Sequence, residues 1–308
     1  MRIGLVTDSL GHLALDDLLK TAAELGIQTL EFGCGGWSAA PHLSLARLLD
    51  SAAERATFTA KLRAHGLEIS ALNCSGNPLA PGERGRAHDQ VVRQTFQLAR
   101  LLEVRRVVMM SGLPGGPGDQ NANWITTAWP PECHAILRYQ WDEVALPYWR
   151  ELAGAARAQG LERICVEQHA HQLVYNTSSL LRLREAAGEI VGVNLDPSHA
   201  FWMGGDPLRA IRALRGAIYH VHAKDTRLDP ANCELNTRLE TRPNEAVADR
   251  AWNYVTLGYG HPELWWRDFV IQLRQNGYDD VLSIEHEDYS LAPLAGVQKS
   301  VALLRQVV

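Results

Sequence analysis

Short apolar runs rich in β-branched residues alternate with amphipathic helical patterns along the whole chain, about eight times in 308 residues. Alternation of this kind with short connections predicts a parallel sheet, because parallel neighbours need a crossover helix. Eight units favour closure into a (β/α)8 TIM barrel over an open doubly wound sheet, since such a barrel typically takes about 250 residues. We therefore predict one α/β barrel domain over residues 1–308.

Four consecutive predicted strands end in a side chain that can bind a metal ion. The fifth to eighth strands end at Glu167, Asp196, His222 and Glu285. Along each strand, the residues that share a face with these side chains are small or polar, and the opposite face is apolar. Because a TIM barrel brings the carboxyl ends of its strands together at one mouth, we expect the four side chains to converge there.

Converging carboxylates need a cation. Three carboxylates packed together would repel one another and raise one another's pKa values, and a divalent metal ion removes that repulsion. Oxygen-rich ligation with a single imidazole suits Mn²⁺, Co²⁺ or Mg²⁺ better than a structural Zn²⁺, and Mn²⁺ is the ion that we favour. One acid at a strand end is more often a helix cap or an ion-pair partner, so the prediction depends on the coincidence of four.

Composition narrows the partners and the compartment. The net charge of −5 argues against a nucleic-acid partner, which usually requires a basic surface. The five cysteines are scattered without a CxxC pair, which favours a reduced, cytoplasmic setting. The sequence shows neither a signal peptide nor an apolar run long enough to cross a membrane, so no membrane partner is expected.

Two long segments interrupt the alternation. The polar stretch between Asp225 and Gly260 shows no clear periodicity, and we interpret it as an insertion after the seventh strand, over about residues 226–260. The glycine-rich segment Gly112–Gly118 lacks the Lys-Ser/Thr pair of a phosphate-binding loop, so we predict a flexible lid or loop there.

The strand-end residues also carry a family resemblance. In order, the chain contains Glu167, Asp196-Pro-Ser-His199, His222-Ala-Lys-Asp225 followed by Arg227, and Glu285. This pattern resembles the sugar phosphate isomerase/epimerase family, whose fold is the xylose isomerase-like TIM barrel. The segments 66–78 and 174–177 match as well, so the resemblance covers essentially the whole chain.

The resemblance implies one divalent metal ion bound by Glu167, Asp196, His222 and Glu285, with the two glutamates also serving as acid and base. The implied activity is isomerisation or epimerisation of a ketose or a 3-keto sugar or glycoside through an enediolate. The alternative within the same family is a lyase, which cleaves 3-keto C-glycosides or dehydrates inososes. A small second subunit is expected only for the lyase, and a homo-oligomer stays open for either activity.

Further residues are candidates for substrate contacts. By resemblance, His199 and Arg227 would contact substrate oxygens. Lys224 is predicted either to stabilise an oxyanion or only to pair with Asp225, and His169 either to contact substrate or to support the metal ligands. Trp37 lies in a predicted mouth loop, where its face could cover a sugar or act as a packing anchor. Two roles therefore stay open for each of Lys224, His169 and Trp37.

The sequence disfavours two other functions, cleavage of DNA at abasic sites and binding without catalysis. Family members that cut DNA at abasic sites hold additional zinc ions and need histidines at the ends of the third and fourth strands. Those strands end here at Asn73-Cys74 and Met110-Ser111, so ligands for the additional ions are missing. A binding protein with an inactive site is disfavoured, because all four predicted ligands are present.

Overall fold

The strands of the protein form one parallel set and one small antiparallel pair. The computed structural model describes all residues from 1 to 308. The strands are β1 (Arg2–Val6), β2 (Thr29–Gly33), β3 (Glu68–Asn73), β4 (Arg106–Met110), β5 (Arg163–Glu167), β6 (Val191–Leu195), β7 (Ile218–Ala223), β8 (Asp225–Leu228), β9 (Trp252–Val255) and β10 (Val281–Ile284). Eight of them close into a barrel in the order β1-β10-β7-β6-β5-β4-β3-β2. The predicted TIM barrel fold is confirmed.

The barrel strands are short and almost fully buried, as their apolar sequences predict. Every residue of β2, β6 and β10 is buried. Strand β5 pairs in parallel with β4 so that Glu167 lies opposite Met110, and β1 pairs with β10 so that Leu5 lies opposite Ile284. The polar strand ends are therefore fixed in register by the hydrogen bonds of an apolar ladder.

Twelve α-helices connect or flank the strands. They are α1 (Leu15–Glu24), α2 (Leu45–Asp50), α3 (Ala52–Ala64), α4 (Glu83–Leu101), α5 (Glu132–Arg138), α6 (Leu146–Ala158), α7 (Thr177–Ala187), α8 (Pro197–Met203), α9 (Pro207–Ala213), α10 (Pro230–Asn236), α11 (Glu263–Gln275) and α12 (Pro293–Val307). A π-helical segment, Tyr139–Ala145, joins α5 to α6. None of the helices is both long and apolar enough to cross a membrane.

Three short helices begin with the same Asp-Pro pair. Asp196, Asp206 and Asp229 each precede a proline and accept a backbone N–H from the first helical turn. Proline suits the first helical position because the N–H that it lacks would have no helical acceptor there.

The insertion is folded. Strands β8 and β9 form an antiparallel pair in which Asp225 lies opposite Val255, and α10 lies between them in the chain. The sequence shows no clear periodicity here, although the segment contains two strands and a helix. Its strands have only four residues each, which is too short a run for an alternating pattern to stand out.

Backbone contacts divide the chain into two compact units. Unit 1 comprises residues 1–31, 61–70 and 195–308. Its fully buried side chains include Trp266 and Phe269 of α11. Unit 2 comprises residues 32–60 and 71–194. In it, the buried Trp149 of α6 donates its indole N–H to the carbonyl oxygen of Ser111, 2.9 Å away. This bond ties the start of the long loop after β4 to a helix of the same unit.

Candidate metal centre

Three of the four predicted ligands lie together in unit 1. Asp196 follows β6, His222 lies near the end of β7, and Glu285 follows β10. Their ligand atoms lie within 4.8 Å of one another, and the His222 Nδ1 atom is 3.1 Å from Glu285 Oε2. Asp196 and His222 are buried, and the Glu285 side chain is 21% exposed. The strand ends therefore bring together two carboxylates and one imidazole at a partly accessible point.

Glu167, the fourth predicted ligand, belongs to unit 2. It is the last residue of β5, is buried, and accepts a hydrogen bond from Asn194 Nδ2 at 2.9 Å. Asn194 is its partner across the β5–β6 ladder, and Asp196 follows two residues later in the chain. Glu167 is thus oriented by the strand that leads to Asp196.

Asp196 has two roles that the sequence analysis had set against each other. One carboxylate oxygen, Oδ1, caps α8 by accepting the Ser198 N–H at 2.8 Å. The other oxygen, Oδ2, lies 3.2 Å from His199 Nε2. A cap fixes the side chain at the strand end, and it leaves the second oxygen directed toward other groups. Helix capping and metal binding are therefore compatible here.

His199 is held from both sides. Its Nδ1 atom lies 3.0 Å from the hydroxyl of Tyr254, which comes from β9 of the insertion. Burial raises the pKa of Tyr254 well above its ordinary value, against the opposing effect of the Lys224 ammonium. The hydroxyl therefore keeps its proton. Because the carboxylate of Asp196 only accepts hydrogen bonds, His199 Nε2 carries the N–H that faces it, and Nδ1 accepts from the Tyr254 hydroxyl.

Lys224 does not pair with Asp225, as one of its two predicted roles required. Its ammonium lies 3.1 Å from Glu285 Oε2 and 2.5 Å from Glu287 Oε2, and 4.2 Å from the centre of the Tyr254 ring. Burial alone would lower the pKa of Lys224, but Glu285 and Glu287 outweigh it, and the pKa lies well above its ordinary value. Lys224 is a permanent cation beside the predicted acid/base glutamate.

Asp225 serves the backbone instead. Its carboxylate accepts N–H groups from Thr226, Gly258, Gly260 and His261, and also contacts the His261 ring. The bonds from Gly258, Gly260 and His261 attach the chain after β9 to the start of β8. Four backbone N–H groups already satisfy the hydrogen-bonding capacity of this carboxylate, so it does not require the Lys224 ammonium as a partner.

The remaining predicted substrate contacts lie at more open positions or in unit 2. Arg227 of β8 is exposed and lies opposite Asn253. In unit 2, Trp37 is 51% exposed, and its ring meets His88 edge-on with centroids 6.3 Å apart. His169 is half-buried, and one of its ligand atoms lies within 4.8 Å of that of Glu167.

Glu31 is a functional candidate that the sequence analysis missed. This residue of β2 is fully buried, and its carboxylate lies 2.7 Å from His220 Nε2 and 3.1 Å from His222 Nε2. Ser283 Oγ donates to it at 3.2 Å. Burial alone would raise the pKa of Glu31, but His222 and His220 more than offset this, and the pKa lies well below its ordinary value. An acid near the end of a predicted strand was the available signal.

The donor set fits a divalent cation. Two carboxylates and an imidazole Nδ1 atom converge in unit 1, and the other nitrogen of that imidazole is held by the buried carboxylate of Glu31. Oxygen-rich donor sets with one imidazole suit Mn²⁺, Co²⁺ or Mg²⁺, and a histidine ligand usually donates its second N–H to a carboxylate or carbonyl. Metal-binding chemistry is thus available at these strand ends.

Comparison with known proteins identifies the family. The chain matches the family model described as xylose isomerase-like TIM barrel over residues 19–307. The protein belongs to the xylose isomerase-like TIM barrel family. The resemblance noted from the sequence is confirmed at this level.

Relatives of this family member extend over its whole length. It is 49% identical over 311 residues to the uncharacterized protein YfiH of Bacillus subtilis (strain 168), a match that covers 100% of this chain and 99% of that protein. The structure of a probable 3-DHS dehydratase, AsbF, from Bacillus anthracis has a TM-score of 0.70 at 17% identity and covers 99% of each chain. An L-ribulose 3-epimerase structure has a TM-score of 0.65 at 17% identity, over 99% of this chain and 93% of that one. The two structures share the fold with this chain.

Proposed function

We propose that the protein is a divalent-metal-dependent isomerase or epimerase that acts on a ketose or a 3-keto sugar or glycoside. The observation that carries the proposal is the convergence of Asp196, His222 and Glu285, whose ligand atoms lie within 4.8 Å of one another. In the proposal, Glu167 is the fourth ligand. It is supported by the barrel order, in which β5, β6, β7 and β10 are consecutive, and by the pairing of Glu167 with the residue two before Asp196.

The chemistry follows from the residues. A divalent cation at this point would polarise a substrate carbonyl and so acidify the adjacent C–H. One glutamate, Glu167 or Glu285, removes the proton α to the carbonyl, and the other returns a proton from the opposite face, which inverts the carbon and gives epimerisation. If one glutamate does both on one face, the product is an isomer without that inversion. The Lys224 ammonium beside Glu285 adds a fixed positive charge where negative charge develops.

The substrate contacts are proposed for the residues that the sequence singled out. We assign contacts with substrate oxygens to His199, Arg227 and His169, and a stacking surface to Trp37. The glycine-rich segment 112–118 is tied to other groups of unit 2, since the Gly112 N–H donates to Gln172 Oε1 at 2.8 Å. A phosphate site is not needed to explain it, so a non-phosphorylated sugar is the proposed substrate. Mn²⁺ is the proposed ion.

A lyase is the second candidate. It is supported by the similarity in fold to the probable 3-DHS dehydratase. The same proton abstraction by a glutamate, with a leaving group β to the carbonyl, expels that group and gives elimination in place of reprotonation.

One experiment separates the two reactions. The protein is loaded with Mn²⁺ and incubated in D2O with a panel of ketoses and 3-keto glycosides, followed by mass spectrometry and NMR. Solvent deuterium at the carbon next to the carbonyl, in a molecule of otherwise unchanged formula, is the expected result. Loss of water or of an aglycone would establish the lyase. Absence of both exchange and elimination with every substrate, in protein shown to hold Mn²⁺, would contradict both proposals.

A further inference from the structure

Glu31 makes contacts that determine where the ring protons of two histidines are. Its carboxylate is fully buried and lies 2.7 Å from His220 Nε2 and 3.1 and 3.2 Å from His222 Nε2. Ser283 Oγ also lies 3.2 Å from it, so three groups that can donate surround one carboxylate, whose oxygens are acceptors. Both Nε2 atoms must therefore carry the proton that each contact requires. His220 and His222 are two residues apart on β7, so they face the same side of the strand and reach the same carboxylate.

The two histidines differ at their other nitrogen. The Nδ1 atom of His222 lies 3.1 Å from Glu285 Oε2 and belongs to the group that also includes Asp196. A metal ion binds an imidazole nitrogen only through its lone pair. With Nε2 protonated, a neutral His222 has that lone pair on Nδ1, which faces the acids. The same contact also fixes the rotation of the ring, because Nε2 and Nδ1 lie on opposite sides of it.

We propose that Glu31 is a positioning residue: it holds His222 with a proton on Nε2 and presents Nδ1 toward Asp196 and Glu285. The part of this inference that concerns metal affinity rests on the proposed metal-dependent function. The orientation of the ring does not. Glu31 lies on β2 and His222 on β7. Strand β2 supplies no predicted ligand, but in this proposal it supplies the residue that orients one.

A cation held between Glu31, His220 and His222 is the competing explanation, since these three also form a group with metal-ligating side chains. The distance of 2.7 Å between Glu31 Oε2 and His220 Nε2 argues for a hydrogen bond. Two ligands of one cation with bonds of about 2.1 Å lie roughly 3 Å or more apart. In addition, Ser283 donates to the same oxygen of Glu31 at 3.2 Å, which completes a hydrogen-bonded carboxylate.

The test begins with Glu31→Gln, which keeps the size of the side chain and removes its charge. The dissociation constant for Mn²⁺, measured by titration calorimetry on the purified chain, should rise about 10- to 100-fold, as it does when the carboxylate partner of a ligating histidine is lost. The matched control is Ser283→Ala, which removes a different hydrogen bond to the same carboxylate and should change the affinity less than about 3-fold. Thermal unfolding of the metal-free proteins confirms that each variant is folded.

Two further measurements separate positioning from a general loss of stability. In a double-mutant cycle, Glu31→Gln should have no further effect on metal affinity once His222 is replaced by Ala, because Glu31 then has no ligand to orient. In metal-free protein labelled with ¹⁵N-histidine, the His222 signal, assigned by its loss in His222→Ala, should show a protonated Nε2. Glu31→Gln should weaken or remove that proton.

The outcomes are distinct. An unprotonated Nε2 in the parent protein, an unchanged Mn²⁺ affinity in folded Glu31→Gln, or two metal ions per chain would overturn the proposal. If the parent protein binds no metal ion but shows the Nε2 proton, and Glu31→Gln loses it, then Glu31 positions His222 and the proposed metal-dependent function fails. Weakened Mn²⁺ binding that vanishes in the His222→Ala background supports both.

Discussion

Asp225 and Glu31 are two buried carboxylates of unit 1 that each contact histidine, but they differ in the donors that they accept from. Asp225 accepts four backbone N–H groups as well as the His261 ring. Glu31 accepts from the side chains of His220, His222 and Ser283. A carboxylate that accepts mainly backbone N–H groups fixes the path of the chain. One that accepts from imidazole rings fixes the orientation and the protonation of those rings. Burial and a histidine partner therefore do not distinguish these two acids. The kind of donor that each accepts from, backbone N–H or imidazole ring, does distinguish them.

The largest expected effect concerns the two glutamates with the proposed acid/base role, Glu285 and Glu167. Glu285→Gln should lower turnover by about 10²- to 10⁴-fold, because an amide cannot take up a proton. Glu167→Gln should behave alike. Rates are measured at saturating Mn²⁺, and thermal unfolding is compared with the parent protein. Substantial residual turnover in a folded, metal-loaded variant would remove the acid/base role of the glutamate concerned.

A large effect on stability, without an effect on metal binding, is expected at Asp225. In Asp225→Asn, an amide replaces an oxygen that accepts three backbone N–H groups, at Gly258, Gly260 and His261. These hydrogen bonds are partly buried. Leaving a buried donor without an acceptor costs about 1–3 kcal/mol, so for three partly buried donors urea denaturation should show a loss of at least about 2 kcal/mol. Mn²⁺ affinity should stay within about 3-fold. A selective loss of Mn²⁺ affinity at unchanged stability would erase the distinction between Asp225 and Glu31.

A smaller effect is expected at Tyr254, the residue of the insertion whose hydroxyl contacts His199. Tyr254→Phe removes the hydroxyl that contacts His199 Nδ1. The loss of one such hydrogen bond is worth about 1 kcal/mol, or about 5-fold, and we expect it mainly in KM for the sugar. Tyr259→Phe, which alters a half-exposed ring of the same insertion, is the control. Unchanged kinetics in Tyr254→Phe would show that the insertion does not tune His199.

The smallest effect depends on pH and extends the comparison to a third carboxylate. Burial alone would raise the pKa of Asp288, but hydrogen bonds from the backbone N–H groups of Thr256 and Ser290 and from the Thr256 hydroxyl outweigh it, and the pKa is lowered. A lowered folded-state pKa stabilises the fold above the unfolded-state value of about 4. That contribution is lost as the pH falls through the folded-state pKa.

Asp288→Asn should therefore be less stable than the parent protein at neutral pH, with a difference that shrinks as the solution is acidified. Denaturant midpoints at a series of pH values measure it. A difference that stays constant down to acid pH would show that the carboxylate charge contributes nothing.

Much of the fold and part of the site could be predicted from the sequence. The alternation of apolar runs and amphipathic helices predicted the barrel, and strand parity placed Asp196, His222 and Glu285 together. Such patterns are local, since they depend on residues two to four positions apart. Whether these residues bind a metal ion, and Glu167 with them, stays a prediction.

The contacts that refine the site could not be predicted in this way. Glu31 and His220 are 189 positions apart in the chain, and Lys224 and Glu285 are 61 apart. No local pattern reports which strand of a barrel faces which. The insertion was predicted but its strands were not, because each has only four residues and pairs with a strand more than twenty positions away.

The sequence by itself determined the strand–helix alternation, the polar strand ends and the family. Only the tertiary structure decided that His222 is held by Glu31, that Lys224 pairs with Glu285 and Glu287, and that Asp225 fastens the chain after β9. The physical reason is that an ionisable side chain takes its role from the donors and acceptors that folding places beside it. Residue type and position in a strand are known before folding, whereas these neighbours are not.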